Sequence, residues 1–115
     1  MSKPLAIVAG EPNSVSSEII FKSWKLRKKY NHRPFFVIGS IDLFKLQNKK
    51  LKYSIKINEI NNNTLLNKLK NDALNIYNVN FNQQKPFQKI STKSNKYIIN
   101  CFNLAIKLIK SRKII

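Results

Sequence analysis

Two short, uninterrupted apolar runs constrain the fold of this chain more than any other feature. They cover residues 5–9 and residues 35–38, and Gly39 ends the second run. Continuous apolar runs of this length are typical of strands that are buried on both faces of a parallel sheet. Residues 17–29, which lie between them, predict a helix whose buried face includes Ile19, Ile20, Phe21 and Trp24. The order strand, helix, strand predicts a βαβ unit with a right-handed crossover.

The apolar pattern predicts further short elements after this unit. A helix is predicted over 41–47 with Ser40 as its N-cap, and the alternating residues 53–57 predict a half-exposed or edge strand. Residues 64–70 predict another short helix, and residues 73–79 predict a strand. A polar, irregular segment follows this strand.

A long amphipathic helix is predicted over residues 94–110. Its apolar side chains recur every three or four residues, which places them on one face. Ile114 and Ile115 follow and resemble the opening of another strand. We therefore expect residues 1–115 to form a partial amino-terminal α/β domain of a larger enzyme, an incomplete three-layer αβα unit with a mainly parallel sheet. The predicted apolar stripe of the long helix consists of Ile98, Cys101, Phe102, Ala105, Ile106 and Ile109.

The composition excludes several classes of site. The only glycines are Gly10 and Gly39, so the chain contains no glycine-rich dinucleotide or phosphate loop. One cysteine, Cys101, excludes an internal disulfide, and one histidine, His32, excludes a histidine-rich metal cluster. No apolar run approaches the ~20 residues that span a bilayer. We expect a reducing, cytoplasmic setting and no contact with a membrane.

The charge raises an alternative function. Lys and Arg number 22 and Asp and Glu number 5, which gives a net charge of +17. Such a balance can serve a small basic nucleic-acid-binding protein, whose affinity would fall steeply with salt. However, the lysines are spread along the whole chain and arginines are few, whereas phosphate and base recognition usually relies on arginine. A surface solvated by lysine is the favoured interpretation, and we do not expect nucleic acid as a partner.

The turn between the first strand and the first helix is the best candidate site. Gly10, Glu11, Pro12 and Glu18 lie where a buried parallel strand ends and a helix begins, which is the sheet edge where α/β proteins bind ligands. Glu11 and Glu18 are the only carboxylates that could share a site. Cys101 is expected to be buried and inert, and no catalytic or metal-binding residue is predicted. Three nearby serines are interpreted as helix caps: Ser14, Ser16 and Ser17.

Residues 3–12 (KPLAIVAGEP) and 17–24 (SEIIFKSW) resemble the amino terminus of 4-hydroxythreonine-4-phosphate dehydrogenases. Members of that family begin with a strand, a G-[DE]-P-A-G-I-G-P-E-I turn and a helix. Residues 34–39 and 97–110 are similar to the family's second strand and long helix, so the resemblance corresponds to about the first third of a member. Residues 13–17 (NSVSS) depart from the motif, because serines replace two glycines that adopt positive φ more easily.

The resemblance implies the start of a fold like that of isocitrate and isopropylmalate dehydrogenases. It also implies NAD-dependent oxidation of 4-hydroxythreonine 4-phosphate in pyridoxal phosphate synthesis by a homodimer that binds a small phosphorylated substrate and a divalent metal (Zn, Mg or Co). Gly10, Glu11, Pro12 and Glu18 would then form part of the cleft rim. The family's metal-binding and phosphate-contacting residues lie beyond the equivalent of Ile115. We therefore expect this chain alone to hold no cofactor and to be inactive. A further alternative is a degenerate remnant with an unpaired sheet edge and an uncovered helix stripe.

Overall fold

A computed structural model of the protein describes residues 5–27, 29, 35–61 and 69–111, which form a parallel sheet flanked by helices. The strands are β1 (Leu5–Val8), β2 (Phe35–Gly39), β3 (Ile57–Ile60) and β4 (Leu74–Asn78). The helices are α1 (Ser16–Lys25), α2 (Ile41–Leu51) and α3 (Asn95–Lys110), and a single 3-10 turn (Thr92–Ser94) precedes α3.

The strand order is β1-β2-β4-β3, and every neighbouring pair is parallel. The register places Ile7 opposite Val37, and Val37 in turn opposite Ile76. The chain moves from β1 through α1 to β2 and then skips one position to β3, so β4 enters between β2 and β3. The α/β class and the mainly parallel sheet are thus confirmed. The comparison with the isocitrate dehydrogenase-like fold and the partial-domain assignment of residues 1–115 stay predictions.

Helices cover both faces of the sheet. Since successive strand residues point to opposite faces, each strand contributes side chains to both packed layers. One face packs against α1 and α2, and the other packs against α3. The two central strands therefore contain only buried or half-buried side chains, as the continuous apolar runs predicted. The α1/α2 face includes Phe21, Phe35, Val37, Phe44, Leu74 and Ile76, and the α3 face includes Phe36, Ile38, Ile60, Tyr97, Cys101 and Leu108.

Helix α1 is shorter than the predicted span of 17–29 and ends at Lys25. The N-cap residue of α1 is Val15, whose side chain has no hydrogen-bond acceptor. The prediction that a serine occupies the N-cap of this helix is therefore wrong. Instead, the Ser14 hydroxyl accepts a hydrogen bond from the Ser16 backbone N–H at 3.1 Å. The Ser17 hydroxyl is buried and has no hydrogen-bond partner among the described residues.

The buried face of α1 is narrower than predicted. Ile20 and Phe21 are buried, but Ile19 is 57% exposed, so its assignment to the core is wrong. Trp24 is half-buried, and its indole N–H donates to the carbonyl of Ala73 at 3.2 Å. This bond joins the end of α1 to the residue that precedes β4.

Helix α2 extends to Leu51, one turn beyond its predicted end. The Ser40 cap is confirmed, since its hydroxyl accepts from the Leu43 N–H at 3.2 Å. Lys52 ends the helix in the left-handed conformation with φ 59°, and Ser54 has φ 53°. These two residues delay β3, which starts at Ile57 instead of covering residues 53–57, although its edge position is confirmed.

Some predicted features lie outside the described ranges. They include most of the predicted helix 64–70, His32 and the strand opening at Ile114; residues 69 and 70 are not helical. The predicted strand over 73–79 is β4, which is one residue shorter at each end.

Helix α3 is confirmed, but its buried face is rotated relative to the prediction. Its buried residues are Tyr97, Cys101, Ala105 and Leu108. The apolar side chains of this helix cover more than half of its circumference, so their spacing alone could not tell which part faces the sheet. Three residues of the predicted stripe are therefore wrongly assigned to the core and are about half exposed: Phe102, Ile106 and Ile109.

Candidate turn site at the carboxyl edge of the sheet

Three segments converge at the carboxyl ends of β1, β2 and β4. They are the turn over residues 9–15, the start of α2 and the coil over residues 79–94. Because all strands are parallel, this edge is where an open α/β sheet presents loops to ligands. The turn that the sequence predicted as a site therefore lies at the carboxyl edge of the sheet.

The amino terminus of α2 is closed by partners from within the chain. The Tyr97 hydroxyl accepts from the Ser40 N–H at 2.9 Å, and the Asn78 side-chain oxygen accepts from the Ile41 N–H at 2.9 Å. The Ser40 hydroxyl accepts a hydrogen bond from the Leu43 N–H in the same turn. A helix N-terminus attracts anions through such N–H groups, and in α2 three of them already have acceptors.

Tyr97 and Cys101 lie next to this start of α2 and are both buried. Burial raises the pKa of the Tyr97 hydroxyl above its usual value, and it raises the pKa of the Cys101 thiol to about 11. Both groups are therefore neutral near pH 7. The prediction that Cys101 is buried is confirmed, and its thiol lacks the exposure and low pKa of a nucleophile.

Glu11 connects the turn to the start of α3. Gly10 allows the chain to leave β1 with φ 74°, a conformation that glycine adopts without strain. The Glu11 carboxylate accepts from the Asn13 N–H at 3.2 Å and from the Ser94 hydroxyl at 3.1 Å. The carboxylate thus lies at the residue before α3, where the helix dipole favours a negative charge.

Side-chain amides bind the same turn to the coil that follows β4. Buried Gln47 on α2 donates to the carbonyls of Pro12 at 2.8 Å and Pro86 at 2.9 Å. Asn13 and Gln83 pair their amides in both directions, at 3.1 and 2.8 Å. Sequence analysis missed these amide contacts, since nothing in the spacing of an Asn or Gln shows that it bonds a residue 35 or 70 positions away.

A small cavity of about 230 Å³ lies between the turn and this coil. Its polar side chains include Asn13, Gln83 and Ser94, each of which already hydrogen bonds to other groups of the chain. The polar groups that face this cavity are mainly neutral and already have hydrogen-bond partners. The one charged side chain in its lining is Lys93. The cavity is lined by Asn13, Phe81, Asn82, Gln83, Gln88, Ser91, Lys93 and Ser94.

Glu18, the fourth predicted rim residue, has a partner of its own. Its carboxylate pairs with Lys22 one helical turn along α1 at 3.5 Å, on a solvent-exposed surface. Glu11 and Glu18 therefore bond to different groups, and the described structure does not join them in one site. The assignment of Gly10, Glu11, Pro12 and Glu18 to a cleft rim stays a prediction.

The described residues provide no recognisable catalytic or metal-binding cluster. Within these ranges, no three His, Cys, Asp or Glu side chains come close enough to hold a metal ion. The Ser14 and Ser16 hydroxyls lie 2.7 Å apart and bond to each other rather than to a base. Nor does any helix in the described part of the chain have the length and apolar character that crossing a membrane requires.

A lysine-lined cavity of about 440 Å³ lies away from this edge, between α2 and the segment that enters β3. Lys45, Lys49 and Lys52 provide its charge, and Ile55 and Ile57 provide apolar surface. Lysines in the last turn of a helix are favoured by the helix dipole, so their presence at this end of α2 has a structural cause.

Replacing Glu11 by alanine should lower the free energy of unfolding by about 1–2 kcal/mol, because two hydrogen bonds to a charged acceptor are lost. Urea denaturation followed by circular dichroism measures this change. Glu18→Ala is the matched control, and its single exposed ion pair should contribute only about 0.5 kcal/mol. Equal losses for both variants would show that Glu11 does not hold the turn on α3.

Comparison with known proteins gives one consistent name. No protein-family model matches the chain. A curated 4-hydroxythreonine-4-phosphate dehydrogenase from Zymomonas mobilis is 47% identical over 38 residues, which are 33% of this chain and 11% of that protein. The resemblance to this family is thus confirmed, but in sequence it is limited to a short stretch.

Solved structures extend the likeness to the whole fold. A 4-hydroxythreonine-4-phosphate dehydrogenase from Burkholderia phymatum superimposes with a TM-score of 0.80, and a Salmonella typhimurium protein assigned the same name superimposes with 0.81. Each is 20% identical in sequence, and each match covers 99% of this chain but only 34% and 35% of the respective relative. The chain therefore has the fold of about one third of a 4-hydroxythreonine-4-phosphate dehydrogenase.

Proposed function

We propose that this chain forms the amino-terminal third of an NAD-dependent 4-hydroxythreonine-4-phosphate dehydrogenase and contributes no turnover by itself. The reaction would belong to pyridoxal phosphate synthesis in the cytoplasm, with a homodimer acting on a small phosphorylated substrate. The observation that carries the proposal is the superposition of nearly the whole chain on only about a third of two solved dehydrogenase structures.

The residues that the structure describes do not fit a metal or dinucleotide site. Glu11 is bonded to Ser94, Glu18 is paired with Lys22, and the described ranges contain no cluster of metal ligands. NAD and a divalent metal (Zn, Mg or Co) would therefore be held by residues outside this chain.

The contribution of this chain would be the shape of the cleft rim. Gly10, Glu11 and Pro12 are fixed by bonds to α2 and α3, so the turn is held at the sheet edge where ligands bind. A turn held from two sides loses little entropy when a substrate packs against it. Glu18 lies on the exposed surface of α1 and is the weakest member of this set.

The alternative of a basic nucleic-acid-binding protein rests mainly on the net charge of +17. Among the described residues, the lysine-lined cavity at the end of α2 is a local feature that favours it. Helix-dipole complementarity accounts for two of its lysines, Lys49 and Lys52, and the cavity contains no arginine fork for phosphate. We therefore expect only feeble retention on nucleic acid, which salt abolishes.

An activity assay tests the proposal in two steps. The isolated chain, given 4-hydroxythreonine 4-phosphate, NAD and Mg²⁺, Zn²⁺ or Co²⁺, should produce no NADH above background. Adding the two thirds of the Salmonella typhimurium protein that this chain does not match should allow turnover. Turnover by the isolated chain at the rate of the full-length Salmonella protein would contradict the proposed incompleteness. A complex that forms without turnover would contradict the dehydrogenase role.

A further inference from the structure

Helix α3 carries a second apolar stripe that the rest of the described chain does not cover. Ile99, Phe102, Ile106 and Ile109 are 57%, 52%, 49% and 51% exposed. Their spacing of three, four and three residues places them on one face of the helix. This stripe, which we call the α3 flank, is separate from the face that packs on the sheet. Single exposed apolar residues are common in proteins, but four in one row mark an interaction surface.

The α3 flank points more sideways along the sheet than outwards. At 3.6 residues per turn, its centre lies about 120° around the helix from the centre of the buried face. Phe81, which follows β4, stacks on Tyr97 with ring centroids 4.7 Å apart, so the Tyr97 side of α3 faces β4. The α3 flank is on the opposite side, above the β1 edge of the sheet.

Strand β1 is itself open on that side. It pairs only with β2 among the described strands, and Leu5 is partly exposed. The crossover through α1 proceeds from β1 towards β2, and α3 lies on the other face of the sheet. A right-handed crossover through a helix on this other face proceeds in the reverse direction. A parallel strand that follows α3 would therefore pair with the free edge of β1.

From these observations we infer that the α3 flank and the open edge of β1 form one docking surface for the part of the dehydrogenase fold that this chain does not span. The inference rests on the proposed function and adds to it the residues that would join the two parts. The occupant would add a strand beside β1 and an apolar helix face beside α3. Because Lys110 lies about 60° around the helix from the centre of the stripe, a carboxylate on the adjacent edge of the occupant would complement it.

Charge and geometry favour this occupant over two others. A second copy would bring two chains of charge +17 together, and their mutual repulsion opposes this contact. A bilayer would contact an outward face more readily than a face that points along the sheet. The superposition on about one third of a larger fold supports the remaining two thirds of that fold as the occupant.

The test measures binding rather than turnover. The probe is the Salmonella typhimurium protein from which the third matched by this chain has been removed. A preliminary titration shows that this probe binds the removed third when that third is supplied as a separate fragment. Titration with the whole 115-residue chain should give a 1:1 complex by light scattering. Ile106→Lys should weaken the complex at least tenfold, and Phe102→Lys serves as the second variant. Ile19→Lys, an equal charge change at an exposed isoleucine of α1, should weaken it less than twofold.

Circular dichroism before titration confirms that each variant is folded. No complex with the wild-type chain, or equal weakening by Ile106→Lys and Ile19→Lys, would overturn the inference. A homodimer of this chain that Ile106→Lys dissociates would assign the α3 flank to a second copy instead. Binding to phosphatidylserine vesicles that only the Ile106→Lys variant loses would assign it to a membrane. If the mixture of chain and probe turns over substrate, and Ile106→Lys does not change the rate, the proposed function stands and only the docking surface is overturned.

Discussion

Replacing Phe21 by alanine is expected to lower the free energy of unfolding by about 3–5 kcal/mol, a large fraction of the stability of a small domain. The Phe21 side chain is 0% exposed. Its ring contacts Phe44 edge to face at a centroid distance of 5.7 Å and lies 5.6 Å from the ring of Tyr53. Removing it would leave a cavity where α1, α2 and the segment before β3 meet. Urea denaturation followed by the fluorescence of Trp24 measures the loss.

Ile19→Ala on the same helix is the matched control. Because Ile19 is 57% exposed, its truncation should change the free energy of unfolding by no more than about 0.5 kcal/mol. A loss below about 1 kcal/mol for Phe21→Ala would mean that α1 is not packed on α2 as described. A loss for Ile19→Ala as large as that for Phe21→Ala would mean that α1 is rotated about its axis.

Gly39→Ala is expected to cost about 2–3 kcal/mol through overpacking. A Cβ atom at this position would lie 2.9 Å from the Cβ of Ala9, 3.0 Å from a ring carbon of Phe44 and 3.0 Å from the Tyr97 hydroxyl. All three neighbours belong to the packed interior and cannot move freely. The same denaturation experiment measures the change.

A double variant separates overpacking from other causes. Ala9→Gly removes the closest atom, so it should destabilise Gly39→Ala protein less than it destabilises the wild type. The expected coupling is about 1 kcal/mol. Strictly additive effects of the two substitutions would show that contact with Ala9 does not restrict the space for a Cβ atom at position 39. The close approach of Ala9 to Gly39 would then be excluded.

The sequence predicted those parts of the fold that depend on local patterns. The apolar runs at β1 and β2 indicated strands buried on both faces, and the side chain of Ser40 indicated the start of α2. The predicted start of β3 was wrong because Lys52 and Ser54 adopt positive φ. Positive φ is expected at glycine, asparagine or aspartate, and the sequence gives no sign of it at a lysine or a serine. Local patterns therefore identified the elements, but not all of their ends.

The rotation of α3 and the contacts of the candidate site depend on long-range packing. Phe102 and Leu108 are equally apolar, and only the position of the sheet decides that Leu108 is buried. Glu11 was placed correctly at the sheet edge, but its partner Ser94 is 83 residues away. Amide and hydroxyl side chains have many possible partners, so no spacing rule could have chosen this one.

The hydroxyl of Tyr97 has a consequence for how the protein unfolds. Tyr97 belongs to the helix on one face of the sheet, yet its hydroxyl accepts from the amide N–H of Ser40, the N-cap residue of the helix on the other face, at 2.9 Å. Fraying of α3 would therefore leave the Ser40 amide without an acceptor at the start of α2. The outer layers are coupled in this way across the end of the sheet, so they should lose protection from hydrogen exchange as one cooperative unit rather than one after the other.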